Sequence, residues 1–260
     1  MEPLVTPDWL LRHLEDPAVR IVDCRFVLGE PDEGRRRYLE RSIPGAVFAD
    51  LDTELAGPVG DGLDGRHPLP SVQRFTEAAR TAGISAQTHV VAYDDARTGG
   101  AARLWWLLRH FGHPAVSVLD GGLAGWTGPT QAGATVVARG DFVARRRDDD
   151  TVDLAGVEAG LRRPGRILVD ARAPERFRGE VEPIDPLPGH IPGARNAPFN
   201  QPPASELVQA DAEVVVYCGS GVTACEVLLR LAAAGNLGAK LYPGSYSEWT
   251  NRGLPVEQGG

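Results

Sequence analysis

The chain has 260 residues, 42% of them hydrophobic, enough for two modest cores or one large one. A formal net charge of −8 argues against nucleic acid as the main partner, because a phosphate backbone is held by a basic face. Three cysteines, an odd number, make no disulfide framework in a chain this long and point to a reducing, cytoplasmic setting.

Taken in order, the N-terminus Met1-Glu2-Pro3-Leu4-Val5-Thr6 lacks a basic segment followed by an apolar core, so no signal peptide is expected. The first strand signal is Val19-Arg20-Ile21-Val22-Asp23-Cys24-Arg25, and Ile43-Pro44-Gly45-Ala46 follows it. A long Gly/Pro-rich connection runs from Gly57 to Pro70; such loops are functional or disordered. The next strand is Val90-Val91-Ala92-Tyr93-Asp94. The apolar run Leu104-Trp105-Trp106-Leu107-Leu108 stops at Arg109 and is far too short to span a bilayer, so no membrane partner is expected. Gly122 and Trp126 come next, and the charge run Arg145-Arg146-Arg147-Asp148-Asp149-Asp150 reads as a solvated linker or hairpin.

The chain then repeats itself. Arg166-Ile167-Leu168-Val169-Asp170-Ala171-Arg172 echoes the first strand, Ile191-Pro192-Gly193-Ala194 echoes the segment at Ile43, and Gly244 with Trp249 echoes Gly122 with Trp126. Landmarks recurring in the same order mark a duplication. Each half alternates short apolar strands with helical patterns, so each is expected to be an α/β domain with a mainly parallel sheet flanked by helices. The expected boundaries are 1–135 for the first domain, 136–150 for a linker and 151–260 for the second. Asp170 with Arg172, like Asp23 with Arg25, occurs in both halves and reads as a structural ion pair. Trp126 and Trp249 read as core.

The stretch carrying chemistry is Val214-Val215-Val216-Tyr217-Cys218-Gly219-Ser220-Gly221-Val222-Thr223-Ala224. Four β-preferring residues end at a cysteine, a Gly-Ser-Gly run follows, and a helix begins. Glycines let backbone N–H groups turn inward around one point, and the helix start adds its positive dipole end. Thiols in such settings have pKa values of roughly 3.5–7.5, which makes Cys218 a candidate nucleophile; a buried cysteine at a strand end is the alternative. The first half has Asp94 at the equivalent place and so lacks a nucleophile. Cys225 is a possible resolving thiol, but a small core residue is the simpler reading.

With these residues in view, the chain resembles tandem-domain rhodanese-type sulfurtransferases over nearly its full length. The resemblance implies two rhodanese-like domains, the first non-catalytic and the second catalytic, with the active site in the cleft between them. It implies transfer of sulfane sulfur from a small-molecule donor through a Cys218 persulfide to a thiophilic acceptor such as cyanide, a thiol or a thioredoxin-like protein, in a monomer needing no metal or organic cofactor. The loop from Cys218 through Gly219, Ser220, Gly221, Val222 and Thr223 to Ala224 is similar to that of 3-mercaptopyruvate sulfurtransferases, its N–H groups binding the reacting sulfur; thiosulfate enzymes carry basic residues where this chain has Gly219 and Ser220. Arg176 matches the arginine that binds the donor's carboxylate or sulfonate, with Arg178 as a competitor for that role. Nine positions on, where mercaptopyruvate enzymes offer a second arginine, this chain has Asp185, in a proline-rich segment expected to point away from the site. Asp52 and His67 match an Asp and a His which, with the loop serine Ser220, form a charge relay in mercaptopyruvate enzymes. The alternative for His67, which precedes Pro68, is a loop cap bonded to backbone.

Two rival classes meet this sequence. A cysteine-dependent phosphatase needs an arginine six positions after its cysteine to grip the phosphoryl group, and that position is Ala224. A non-catalytic rhodanese module used for binding would not require a thiol inside a glycine nest. The expected donor is 3-mercaptopyruvate, which the neutral loop favours; the alternative is thiosulfate, which Asp185 favours.

Overall fold

The computed structural model describes residues 1–96 and 98–260. It divides into two compact units: residues 1–57 with 70–147, and residues 58–69 with 148–260. The Gly/Pro-rich connection of the first half is thus part of the second unit, and the charge run is split between Arg147 and Asp148.

In the first unit the chain forms β1 (Leu4–Val5), α1 (Pro7–Arg12), β2 (Val19–Asp23), α2 (Glu33–Glu40), β3 (Val47–Phe48), α3 (Val72–Thr81), β4 (His89–Tyr93), α4 (Gly100–His110) and β5 (Val116–Leu119). Side-chain caps start α1 and α3: the Thr6 hydroxyl accepts from the Trp9 N–H at 3.1 Å, with Pro7 opening α1, and the Ser71 hydroxyl accepts from the Arg74 N–H at 3.2 Å. The strands lie in the order β1-β5-β4-β2-β3, all parallel. Val90, Val91, Ala92 and Tyr93 are fully buried, as expected for a central strand covered on both faces. Residues 136–147 hold no helix or strand, yet Phe142 and Ala144 are buried, and the Phe142 N–H bonds the Ile84 carbonyl at 3.2 Å.

The second unit continues with α5 (Leu154–Ala159), β6 (Arg166–Asp170), α6 (Pro174–Phe177), β7 (Arg195–Asn196), α7 (Ser205–Val208), β8 (Glu213–Tyr217), α8 (Thr223–Ala233), β9 (Lys240–Leu241) and α9 (Ser245–Asn251). Its sheet, also parallel, has the order β7-β6-β8-β9.

The duplication is visible atom by atom. In the first unit Asp23 pairs in register with Tyr93, and in the second Asp170 pairs with Tyr217. Arg25 reaches the Asp23 carboxylate at 2.7 Å and the Arg41 carbonyl at 2.6 Å; Arg172 reaches Asp170 and the Gly189 carbonyl, each at 2.6 Å. Both pairs are buried at a strand end, the structural role expected of them. Trp126 and Trp249 are likewise core, each donating its indole N–H to a backbone carbonyl, of Pro129 and Pro255, at 2.8 Å. Among the described residues, no helix is long and apolar enough to cross a membrane.

Candidate active site

β8 carries the chain to Cys218 at the carboxyl end of a central strand, and α8 opens five residues later with Thr223. Between them the backbone must reverse tightly, and Gly221 takes a φ of 76°, a left-handed value that favours glycine. The turn brings the Gly221 N–H to 3.1 Å from Cys218 Sγ. A second loop clasps the first from outside. The Cys218 N–H donates to Ser245 Oγ at 3.2 Å, while the Ser245 hydroxyl donates to the Tyr242 carbonyl at 3.0 Å. The Tyr246 and Ser247 N–H groups donate to the Cys218 and Gly219 carbonyls, each at 2.9 Å. Ser245 holds a φ of 56°, a costly value for a side-chain-bearing residue that these bonds sustain.

Cys218 is 1% exposed, and Ser220 is also buried. Cys225, one turn into α8, is buried and turned back onto the loop, its Sγ 3.3 Å from the Gly221 carbonyl; that is the core role expected of it. Val222 and Thr223 form the step into α8, the Cys225 N–H bonding the Val222 carbonyl at 3.0 Å. Cys24, in the first unit, sits in a different environment: burial, then the neighbouring Asp23, Asp94 and Glu54 carboxylates, push its thiol well above the ordinary range. That environment opposes a thiolate at Cys24.

The connection 58–69 packs on α9 and the loop before it. Asn251 Nδ2 donates to the Gly62 carbonyl at 2.8 Å, Arg252 Nε to the Leu63 carbonyl at 3.1 Å, and the Arg66 N–H to Ser247 Oγ at 3.1 Å. At Gly65, φ is +85°, and a Cβ there would meet the Gly244 carbonyl oxygen at 2.6 Å, so the close approach requires glycine. The loop so held places His67 Nδ1 2.7 Å from Ser220 Oγ, with the His67 ring buried. His67 thus meets the loop serine rather than serving only as a backbone cap. Asp52, the third residue of the expected relay, is exposed in a turn of the first unit.

The arginines depart from expectation. Arg176 Nη2 donates to Glu182 at 2.6 Å and to Asp185 at 3.0 Å, and its Nε donates to Glu182 at 3.1 Å. Asp185 does not point away. Its side chain is 1% exposed and accepts from both Arg176 and Arg66 Nη1. The reason is charge: a buried carboxylate needs paired cations, and the two arginines supply them. Arg178 instead pairs at the surface with Glu180, at 2.7 Å. Glu182 also accepts from Arg172 Nη1 at 3.1 Å. Burial works to raise the Glu182 carboxyl, but hydrogen bonds from Arg176 and the Asp185 and Ile184 N–H groups outweigh it, so the carboxyl lies below the usual range.

Arg66 and Ser245 are the site residues the sequence reading missed. Ser245 leaves no signal beyond its place after Gly244. Arg66 leaves one: an arginine directly before His67, in a chain with an acid at 185 where a cation is expected.

Comparison with known proteins identifies the family. The profile of the rhodanese-like domain matches residues 6–129 and again residues 153–252. A Pseudomonas aeruginosa protein provisionally assigned as a 3-mercaptopyruvate sulfurtransferase is 43% identical, over 98% of each chain. A Mycobacterium tuberculosis protein provisionally assigned as the thiosulfate sulfurtransferase SseB is 41% identical, over 91% of this chain and 89% of its own. Among solved structures, SseA from Escherichia coli, described as having the rhodanese fold of the 3-mercaptopyruvate enzymes, matches with a TM-score of 0.83 and 34% identity, over 95% of this chain and 99% of its own.

Proposed function

The chain belongs to the rhodanese-like domain family, and from that premise we propose that it is a sulfurtransferase that takes sulfur from 3-mercaptopyruvate through a Cys218 persulfide. The observation that carries the donor choice is the Ser220 hydroxyl, 2.7 Å from His67 Nδ1 and carried two positions past Cys218 in a loop without cationic side chains.

In the first half-reaction the Cys218 thiolate attacks the sulfur of 3-mercaptopyruvate. An S–S bond forms, the donor's C–S bond breaks, and its electron pair leaves on the pyruvate enolate. The proton that was on the donor's thiol ends on that carbon, giving pyruvate and a persulfide anion on Cys218. Ser220 and His67 form the proposed path for that proton, the hydroxyl handing it on and the imidazole replacing it. The Gly221 N–H, already directed at Cys218 Sγ, is a donor for the anionic sulfur. In the second half-reaction cyanide or a thiol attacks the outer sulfur, the S–S bond breaks, and the Cys218 thiolate returns; this is two-step covalent catalysis with ping-pong kinetics. Thiosulfate would leave as sulfite, which needs no proton on carbon, so the relay has no task with that donor.

A thiol or a thioredoxin-like protein as the natural acceptor, a monomeric state and a cytoplasmic location belong to the same proposal, the last because all three cysteines are free and buried. The deciding experiment compares kcat/KM for 3-mercaptopyruvate and thiosulfate with cyanide as acceptor. The expected preference for 3-mercaptopyruvate is about ten- to hundredfold, the worth of one charged hydrogen-bonded contact. A preference for thiosulfate would show that Asp185 and its segment set the donor.

A further inference from the structure

We infer that Ser247 is a positioning residue for proton delivery, holding the Ser220 hydroxyl and the His67 imidazole in register from one point at the start of α9. The inference rests on the sulfurtransferase reading above and adds to it a residue outside the reacting loop.

The observation that carries it is a closed ring of hydrogen bonds. The Ser247 N–H donates to the Gly219 carbonyl at 2.9 Å, and Gly219 directly precedes Ser220. On its other side Ser247 Oγ accepts the Arg66 N–H at 3.1 Å, and Arg66 directly precedes His67. The 2.7 Å contact between His67 Nδ1 and Ser220 Oγ closes the ring. Two loops far apart in the chain are thus referred to one residue, each held one position before the group that it carries.

Ser247 is suited to this task. It is fully buried in the first turn of α9, between the core residues Tyr246 and Trp249, which makes it a fixed reference. Its hydroxyl is oriented: it donates to the Gly244 carbonyl at 3.2 Å, which leaves a lone pair for the Arg66 N–H. The fit is close, since a Cβ built on Gly65 would lie 3.1 Å from Ser247 Oγ. The far side of His67 offers no equivalent hold, because Pro68 has no N–H to donate. Alanine at 247 would keep the backbone bond to Gly219, so the nucleophile loop stays in place. Only the Arg66 N–H loses its acceptor, and the segment carrying His67 is then released to shift against Ser220. A shift of about 1 Å can cost about a hundredfold in a step that passes a proton between the two groups. Sulfite leaves without a proton on carbon, so the same shift bears little on thiosulfate.

The test is a double-mutant cycle on the full-length protein, with cyanide as acceptor and 3-mercaptopyruvate and thiosulfate as donors. Ser247→Ala should lower kcat for 3-mercaptopyruvate about ten- to hundredfold, with a clearly smaller loss for thiosulfate. Added to Ser220→Ala, it should lower kcat for 3-mercaptopyruvate by less than about threefold further, since the path that it aligns is already gone. Nitrogen NMR resonances of the His67 ring read the alignment without turnover; in Ser247→Ala they should move from their wild-type positions toward those of Ser220→Ala. Equal losses with the two donors, an undiminished further loss in the Ser220→Ala background, or unmoved His67 resonances would mean that Ser247 only supports the fold. Any of these would overturn the inference while leaving sulfur transfer intact. A Ser220→Ala protein that itself loses equally with both donors would overturn the parent proton path, and the role of Ser247 with it.

Discussion

His67 Nδ1 and Ser220 Oγ lie 2.7 Å apart although 153 positions separate them in the chain. Both are buried, and both sit within the second unit because the loop that carries His67 packs there. A hydroxyl bonded to an imidazole, in the same loop as the reacting thiol, suits proton delivery to a carbon leaving group.

The first prediction follows from that chemistry. Ser220→Ala and His67→Ala should each lower kcat for 3-mercaptopyruvate by about 10²-fold or more, the usual range for removing a positioned acid–base group. With thiosulfate the loss should be much smaller, because sulfite leaves without a proton on carbon. The double variant should lose little more than either single one, since the two groups act as one path. Equal losses with both donors would assign the pair to holding the loop.

Gly65 sets the approach of the His67 loop. Adding a Cβ where φ is +85° and the Gly244 carbonyl oxygen lies 2.6 Å away must shift one loop or the other. Gly65→Ala should therefore cost about 1–3 kcal/mol in stability, as strained backbone positions do. It should also lower kcat/KM for 3-mercaptopyruvate, because Arg66 and His67 follow directly. Urea unfolding and steady-state kinetics on the same preparation check both parts.

Acid should reveal Glu182. Its folded pKa is lowered chiefly by Arg176, so ionised Glu182 contributes stability above the unfolded value of about 4.3. That contribution is lost as pH falls through the lower folded value. The stability difference between wild type and Glu182→Gln should accordingly shrink as pH drops below about 4, where the wild-type carboxylate gains the proton that removes its charge. Unfolding measured from neutral pH downward reads this directly; a difference that stays constant with pH would contradict the pairing.

Much of the fold is legible in the sequence because the duplication repeats its structural chemistry. An Asp and an Arg two residues apart recur at the ends of Asp23–Arg25 and Asp170–Arg172, and a Trp recurs at the close of each half. Cys218 is legible as well, since few local patterns other than a nest place a cysteine between an apolar strand and Gly-Ser-Gly. Asp185 and Arg66 are harder. Each is meaningful only through the other, and nothing local in a sequence states that residues 119 positions apart will pair. The same holds for Ser245, whose left-handed backbone is imposed by bonds to Cys218 and Tyr242 rather than by any residue preference. The Gly/Pro-rich loop shows its composition in sequence but not the surface it packs on, which non-local contacts to Ser247, Asn251 and Arg252 decide.

The identity of the sulfur-carrying residue is measured most directly by peptide mass after one half-reaction. Protein treated with 3-mercaptopyruvate in the absence of an acceptor should gain the mass of one sulfur atom on the peptide containing Cys218. Cyanide should then remove that sulfur and release an equal amount of thiocyanate, and Cys218→Ser protein should neither gain sulfur nor turn over. Sulfur found on Cys24 or Cys225 instead, or turnover by Cys218→Ser comparable to wild type, would contradict the account.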